Sequence, residues 1–320
     1  MIEPLFPEHE AVVSELVQLH EHGRLPHALL LTSDSGLGLN EVSEVLANRL
    51  LKMTSQLPEN ETQELLTAGT HGDFRWVSVM EGKQSIGVDQ VRVACDFVSK
   101  TAGYGSLKVL IIEEAHKLTS AAANALLKTL EEPQGDTLII LICRRPWLLP
   151  ATIRSRCQSR TLPKLSEVTC KDALRRLGVS PDAVEGKPSR YLENWLIAAS
   201  SGTLEVQGEV RSALNGVLDG KLSGKDLTEC LLKHELVDAT EAVVQALEER
   251  IIGYDFEGSA SITLITLHRM VGSLLQRIRN GATPAREIAC YEIGVLTAGA
   301  SENKISAVHE SLSLMGARRV

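Results

Sequence analysis

Apolar and polar positions follow two kinds of pattern in the first half of the chain. Short apolar-rich runs occupy residues 28–32, 75–79, 109–112 and 138–142. Longer stretches with apolar residues every three or four positions lie between them. Strands that alternate with helices predict a parallel sheet, and the third and fourth runs, apolar at every position, predict strands that helices cover on both faces.

The helix after the third run has the clearest end signals. Thr119 is a favoured N-cap residue, residues 120–132 have helical periodicity, and Pro133 cannot continue a helix. Leu126 and Leu130 belong to its apolar stripe. The pattern therefore predicts a helix over 120–132 that packs on the sheet.

The strand pattern disappears beyond about residue 163, where helical pieces are interrupted by glycine and proline. From about residue 205 the periodicity is helical throughout, and Leu264, Leu267 and Val271 keep one face apolar. We predict an α/β domain at 1–162, a small helical domain at 163–204 and an all-helical domain at 205–320.

The overall composition argues against two classes of protein. A formal net charge of -8 disfavours a free-standing nucleic-acid binder, because neutralising phosphates normally needs an excess of Lys and Arg. The acidic N-terminus lacks the basic start and apolar run of a signal peptide, and no apolar stretch reaches the roughly 20 residues of a membrane span. We expect a cytoplasmic protein without a membrane partner, and any DNA contact to be shared with other proteins.

The cysteines are widely spaced along the chain. The six are Cys95, Cys143, Cys157, Cys170, Cys230 and Cys290. No two form the CxxC pair that is typical of a zinc site. We therefore expect free thiols in a reducing compartment and no bound metal.

A pair of acidic residues follows the third apolar run. Glu113 and Glu114 end the buried strand of segment 108–133, KVLIIEEAHKLTSAAANALLKTLEEP. Acids at the end of such a strand hold Mg²⁺ and orient water in nucleotide hydrolases. The dipeptide alone favours the simpler interpretation, a solvated strand end.

The whole of segment 108–133 resembles the clamp-loader AAA+ family, in which an acidic pair, Ala-His and a helix reading NALLKTLEEP occur in this order. The resemblance, strongest over residues 20–162, includes RLPHALLLT, AGTHGDF, GVDQVR and SRC. AGTHGDF and GVDQVR are similar to the bacterial delta-prime branch. The resemblance implies a P-loop NTPase-like (AAA+) α/β domain, then a helical lid and an all-helical collar that joins subunits.

The phosphate-binding motif of that family is degraded here. A P-loop reads GxxxxGK[ST], whereas residues 33–40 read SDSGLGLN, with Leu39 in the lysine position and Asn40 in the hydroxyl position. The resemblance implies a degenerate nucleotide site without productive ATP binding. The site residues are Ser33, Gly36, Gly38, Leu39, Asn40, Glu113 and Glu114.

A zinc module with four cysteines, present in many relatives between the P-loop helix and the AGTH segment, is missing. Residues 51–66, LKMTSQLPENETQELL, contain no cysteine. The resemblance therefore gives no reason to expect zinc in this chain.

The SRC tripeptide retains a second feature of the family. Arg156 resembles the clamp-loader arginine finger, whose planar guanidinium binds a transferring phosphoryl group on a neighbouring subunit. Arg154, Ser155 and Cys157 are possible auxiliary residues. The resemblance thus implies a role in trans for Arg156.

Together, these features imply a non-hydrolysing delta-prime-type subunit of the DNA polymerase III clamp loader. Its partners would be gamma/tau and delta subunits, with the sliding clamp and primer-template DNA engaged by the assembly. A self-sufficient P-loop motor is disfavoured by Leu39. A scaffold derived from an AAA+ protein, without a catalytic role in trans, remains the alternative.

Overall fold

The computed structural model describes residues 5–133, 135–179, 189–252, 259–279 and 284–301. Contacts divide the chain into two compact units, Met1–Asn194 and Trp195–Val320. The finer division into three domains stays a prediction.

The first unit is built on a parallel five-stranded sheet. Its strands are β1 (Ala28–Thr32), β2 (Phe74–Val77), β3 (Lys108–Ile112), β4 (Thr137–Ile142) and β5 (Gln158–Thr161). Their order is β2-β3-β4-β1-β5, and every neighbouring pair is parallel. The four apolar runs are confirmed as strands. The sequence pattern missed β5 because its residues are polar and mostly exposed at the edge of the sheet.

Helices lie between and after the strands of the first unit. They are α1 (Pro7–Glu21), α2 (Leu39–Thr54), α3 (Glu59–Thr67), α4 (Val88–Val98), α5 (Ser120–Glu131), α6 (Ala151–Arg154) and α7 (Glu167–Arg176), with 3-10 turns at Ala115–Lys117 and Pro146–Leu148. The predicted start of α5 is confirmed, since Thr119 Oγ1 accepts a hydrogen bond from the backbone N–H of Ala122 at 3.2 Å.

The sheet is buried on both faces, as the continuous apolar runs predict. Leu30 and Leu110 face a core formed with α4 and α5, whereas Leu29 and Leu31 face a second core formed with α1 and α2. Successive side chains of a strand point to opposite faces, so β1 supplies both cores. The carboxyl ends of β1 and β3 are therefore fixed by packing from two sides.

The second unit is helical. A helix α8 (Ser189–Ser201) contains the boundary between the units and is followed by α9 (Leu204–Leu218), α10 (Gly224–Leu231), α11 (Leu236–Ile252), α12 (Ser259–Arg279) and α13 (Arg286–Ser301). The backbones of α10 and α13 approach closely, since a Cβ at Gly224 would lie 2.4 Å from the carbonyl oxygen of Gly294. None of the helices within the described ranges is long and apolar enough to cross a membrane.

Candidate functional site

The candidate nucleotide site begins where β1 ends. The loop of residues 33–38 leads from β1 into α2, and its Gly36 and Gly38 have φ angles of 80° and 77°. A side chain is strained in this left-handed conformation, which explains why glycine occupies both positions. A strand, glycine loop and helix in this order form the usual frame of a phosphate site.

The loop satisfies part of its own hydrogen-bonding capacity. Ser33 Oγ accepts from the backbone N–H of Gly36 at 3.2 Å, and Ser35 Oγ accepts from the N–H of Leu37 at 3.3 Å. In a phosphate-binding loop, such N–H groups point at the ligand. Two of the donors that would cradle phosphate are therefore already engaged.

Leu39 belongs to the core of the domain. Its side chain is only 1 % exposed and packs in the cluster that includes Val42 and Leu46 of α2. An aliphatic side chain in this environment supplies neither charge nor hydrogen bonds to a nucleotide.

Asn40 and Glu113 are in direct contact, although they are far apart in sequence. Asn40 Nδ2 donates to Glu113 Oε1 at 2.8 Å, and Trp76 Nε1 donates to Glu113 Oε2 at 3.0 Å. Both oxygens of the carboxylate thus accept hydrogen bonds from neutral side chains. A metal ion at Glu113 would therefore share the carboxylate with these two donors.

Glu114 points to a different partner. Its carboxylate forms an ion pair with Lys117 Nζ at 2.7 Å. Glu114 is also the one non-glycine residue with positive φ, 47°, among those that the structure describes. The two acidic residues therefore have different roles: Glu113 accepts from Asn40 and Trp76, and Glu114 forms a local ion pair.

Two further residues contact the loop from other elements. The ring of His9 on α1 packs against Gly38, where a Cβ would lie 2.3 Å from its Nδ1. Burial lowers the pKa of His9 and thus favours its neutral form. The side chain of Arg144, after β4, lies over Gly36, where a Cβ would be 3.0 Å from its Cδ. Sequence spacing gave no signal for either residue.

Gly38→Ala is expected to destabilise the protein more than Gly69→Ala does. Both glycines are left-handed, with φ of 77° and 67°, but no described atom beyond its chain neighbours lies within 4 Å of a Cβ at Gly69. The shared backbone strain is about 1–2 kcal/mol, and overpacking against His9 adds roughly 1–3 kcal/mol at Gly38 alone. Urea unfolding measures the difference between the variants, and equal losses would contradict the packing of His9 on the loop.

Arg156 lies just after the short helix α6. Its Nε donates to Glu131 Oε1 at 2.7 Å, its NH2 group contacts the same oxygen, and its NH1 group donates to the carbonyl of Thr152 at 2.8 Å. Arg156 and Glu131 are both partly exposed. The guanidinium is thus held at the surface by the end of α5, in a contact that the sequence did not reveal.

The sheet separates Arg156 from the loop of its own chain. Gln158 at the start of β5 pairs with Leu29, and Thr161 pairs with Thr32, immediately before the loop. Because the strands are parallel, Arg156 and the loop lie at opposite ends of the sheet. At about 3.3 Å per residue, the three steps between the four paired residues alone separate them by roughly 10 Å.

The residues beside Arg156 differ in environment. Arg154 is exposed, whereas Cys157 packs against the core that the sheet forms with α4 and α5. Burial raises the pKa of the Cys157 thiol to about 11, so it stays protonated at neutral pH. Ser155 Oγ donates to the carbonyl of Thr152 at 3.2 Å. Ser155 and Cys157 therefore shape the turn that carries Arg156.

Comparison with known proteins gives consistent matches. The family model described as "DNA polymerase III, delta subunit" matches residues 8–166. The chain is 36% identical over 203 residues to DNA polymerase III subunit delta' of Pseudomonas aeruginosa, covering 62% of this chain and 59% of that relative. It is 35% identical over 246 residues to subunit delta' of Yersinia pestis, covering 74% and 72%.

The fold also matches a solved structure. A DNA polymerase III gamma subunit-related protein from Thermotoga maritima superimposes with a TM-score of 0.52 at 18% sequence identity. The match covers 92% of this chain and 99% of that protein. At this identity the likeness concerns the fold, which is of the AAA+ type.

Proposed function

This chain belongs to the delta-prime family of DNA polymerase III subunits, and from this premise we propose that it works as a non-hydrolysing subunit of a clamp loader. In this proposal it assembles in the cytoplasm with gamma/tau and delta subunits. The assembly loads the sliding clamp onto primed DNA, and Arg156 completes the ATP site of a neighbouring subunit.

The observation that carries the proposal is the placement of Arg156 relative to the loop of residues 33–38. The loop lies at the carboxyl end of β1, and Arg156 lies at the other end of the adjacent strand. A guanidinium so placed serves a nucleotide held by another chain better than one held by its own.

The state of the loop supports the non-hydrolysing part of the proposal. Leu39 is buried, loop N–H groups are bonded to serine hydroxyls, and Glu113 accepts from two neutral donors. Arg144 supplies a cation near Gly36, but it does not replace the hydroxyl that binds Mg²⁺ in a P-loop. Productive binding of Mg-ATP is therefore not expected.

The contact between Arg156 and Glu131 is suited to exchange. Ion pairs between partly exposed groups contribute only about 0–1 kcal/mol. Glu131 can therefore orient the Arg156 guanidinium, and breaking the pair requires little free energy. A triphosphate carries more charge and accepts bidentate hydrogen bonds from Arg. In the assembled loader, Glu131 would orient Arg156 until the neighbour's phosphate replaces it.

Purification of the chain alone and with its proposed partners tests this function. Mixed with gamma/tau and delta subunits, the chain is expected to elute in a stoichiometric complex. Alone, it is expected to show neither ATP turnover nor binding heat on titration with Mg-ATP, because Leu39 and Asn40 replace the phosphate and Mg²⁺ ligands.

Two outcomes of these measurements would contradict the proposal. A dissociation constant for Mg-ATP in the low micromolar range would show that the loop still binds nucleotide. If the chain elutes separately from the ATPase subunits, it does not assemble with them, and Arg156 has no neighbouring ATP site to complete.

A further inference from the structure

Three side chains with metal-binding atoms meet in the second unit. Glu209 lies on α9, Cys230 on α10 and His234 in the turn before α11. Their ligand atoms all lie within 4.8 Å of one another, and His234 Nε2 is 3.0 Å from Glu209 Oε2. Among the described residues this is the one such group of three.

The spacing of these atoms is close to that of a tetrahedral metal site. Bonds of roughly 2.0–2.3 Å to oxygen, nitrogen and sulfur place the ligand atoms about 3.3–3.7 Å apart. Small side-chain rotations reach this geometry. The Glu209 side chain is 45% exposed, so an ion can enter and water can complete the coordination.

The backbone around the three residues is held independently of any ion. Arg286 of α13 donates to the carbonyl of Leu232 at 2.8 Å and also to the carbonyl of His234. The N–H of His234 bonds to the carbonyl of Leu231 at 3.2 Å. The turn that carries His234 is therefore fixed relative to Cys230 before a ligand binds.

The chemistry of the donors indicates the kind of ion. A thiolate with an imidazole favours zinc-like transition metals, whereas Mg²⁺ and Ca²⁺ prefer oxygen ligands alone. The two positive charges of the ion balance the negative charges of the Glu209 carboxylate and the Cys230 thiolate, so the occupied site is neutral. Glu209 and His234 alone form an ordinary hydrogen-bonded pair, so Cys230 is the residue that sets this site apart.

We propose that Glu209, Cys230 and His234 bind one divalent transition-metal ion of the zinc type, with water as the fourth ligand. On binding, the Cys230 thiol releases its proton to solvent, and neutral His234 keeps its proton on Nδ1 while Nε2 coordinates. The ion joins α9 to the turn between α10 and α11. The proposed site departs from our expectation of a metal-free chain, which stays a prediction, and it is unrelated to the cysteine-free segment 51–66.

Cobalt titration of the full chain tests the proposal. The protein is stripped with chelator, reduced with a phosphine and titrated with Co²⁺. We expect a thiolate-to-cobalt charge-transfer band in the near ultraviolet that saturates at one equivalent and is bleached by Zn²⁺. Cys230→Ser should abolish the band, and Glu209→Gln or His234→Gln should weaken binding by roughly 10-fold or more.

A second Glu–His pair in the same unit supplies the matched control. His268 Nε2 lies 3.2 Å from Glu248 Oε1, and the pair belongs to no group of three metal ligands among the described residues. His268→Gln should leave the cobalt titration unchanged, and circular dichroism verifies the fold of each variant. If Cys230→Ser unfolds, Glu209→Gln still tests the proposal. Glu209 is half-exposed, so its substitution should leave the fold intact while it weakens Co²⁺ binding. A wild-type chain without the thiolate band, or a band that survives Cys230→Ser, overturns the proposal.

Discussion

Arg156→Ala is expected to reduce strongly the DNA- and clamp-stimulated ATPase of a reconstituted loader while leaving the complex assembled. An arginine finger acting in trans contributes about 10³–10⁵ in rate in well-studied GTPases. A loader with several ATP sites should lose mainly the turnover of the site that faces Arg156, so the total rate should fall in part. Steady-state phosphate release by the purified complex measures this loss.

Conservative variants separate the role of the guanidinium from that of its charge. Arg156→Lys keeps the charge without the planar fork and should be nearly as damaging as alanine. Arg154→Ala should have a milder effect, because Arg154 lies outside the SRC tripeptide. Glu131→Gln keeps the shape of the residue that holds Arg156 but weakens the ion pair, and should change the rate less than Arg156→Ala.

The pattern of these variants decides between the two readings of the chain. An essential Arg154 with a dispensable Arg156 would show that the finger is assigned to the wrong residue. Clamp loading at the wild-type rate by both alanine variants would favour the scaffold without a catalytic role. Unchanged elution and melting temperature of each complex are needed to exclude misfolding.

Asp73→Ala is expected to destabilise the protein by about 3–5 kcal/mol, because it leaves a buried charge without its partner. Asp73 is 1% exposed and accepts hydrogen bonds from the N–H groups of Gly103 and Tyr104, both at 2.7 Å. Lys108 Nζ is also buried and lies 3.5 Å from the same carboxylate. The free energy of unfolding in urea measures the loss.

Two further variants separate the buried cation from the amide contacts. Asp73→Asn keeps a hydrogen-bond acceptor but removes the charge, so it should cost less than alanine. Adding Lys108→Met to Asp73→Ala should restore part of the stability, since a pair removed together leaves no lone charge. Additive losses in the double variant would show that Asp73 acts through the loop amides alone.

Continuous apolar runs made β1, β3 and β4 predictable, because strands buried on both faces are apolar except at an end residue. The edge strand β5 has only polar residues, and it exists through its pairing with β1 rather than through its own sequence. Local signals thus identified four strands, including β2 at one edge, and failed only at β5 on the other edge.

The degraded motif around Leu39 and Asn40 was readable from the sequence, but its structural consequences were not. Trp76 and Glu113 come from different strands, and His9 and Arg144 reach the loop from other elements. These contacts depend on tertiary packing, for which local spacing carries no signal. Cys230 and His234 do have a local signal, the one-turn spacing of two ligands, but Glu209 comes from another helix.

The hydrogen bonds at Glu113 bear on how this subunit takes part in a working cycle. Asn40 and Trp76 both donate to the Glu113 carboxylate. These hydrogen bonds form within the chain, so they need neither nucleotide nor metal. A ligand shifts a conformational equilibrium only by its differential affinity for two states, and a loop that binds no nucleotide, as proposed above, has no such affinity. If the chain works as proposed, this domain would keep one shape through every round of hydrolysis while neighbouring subunits change theirs.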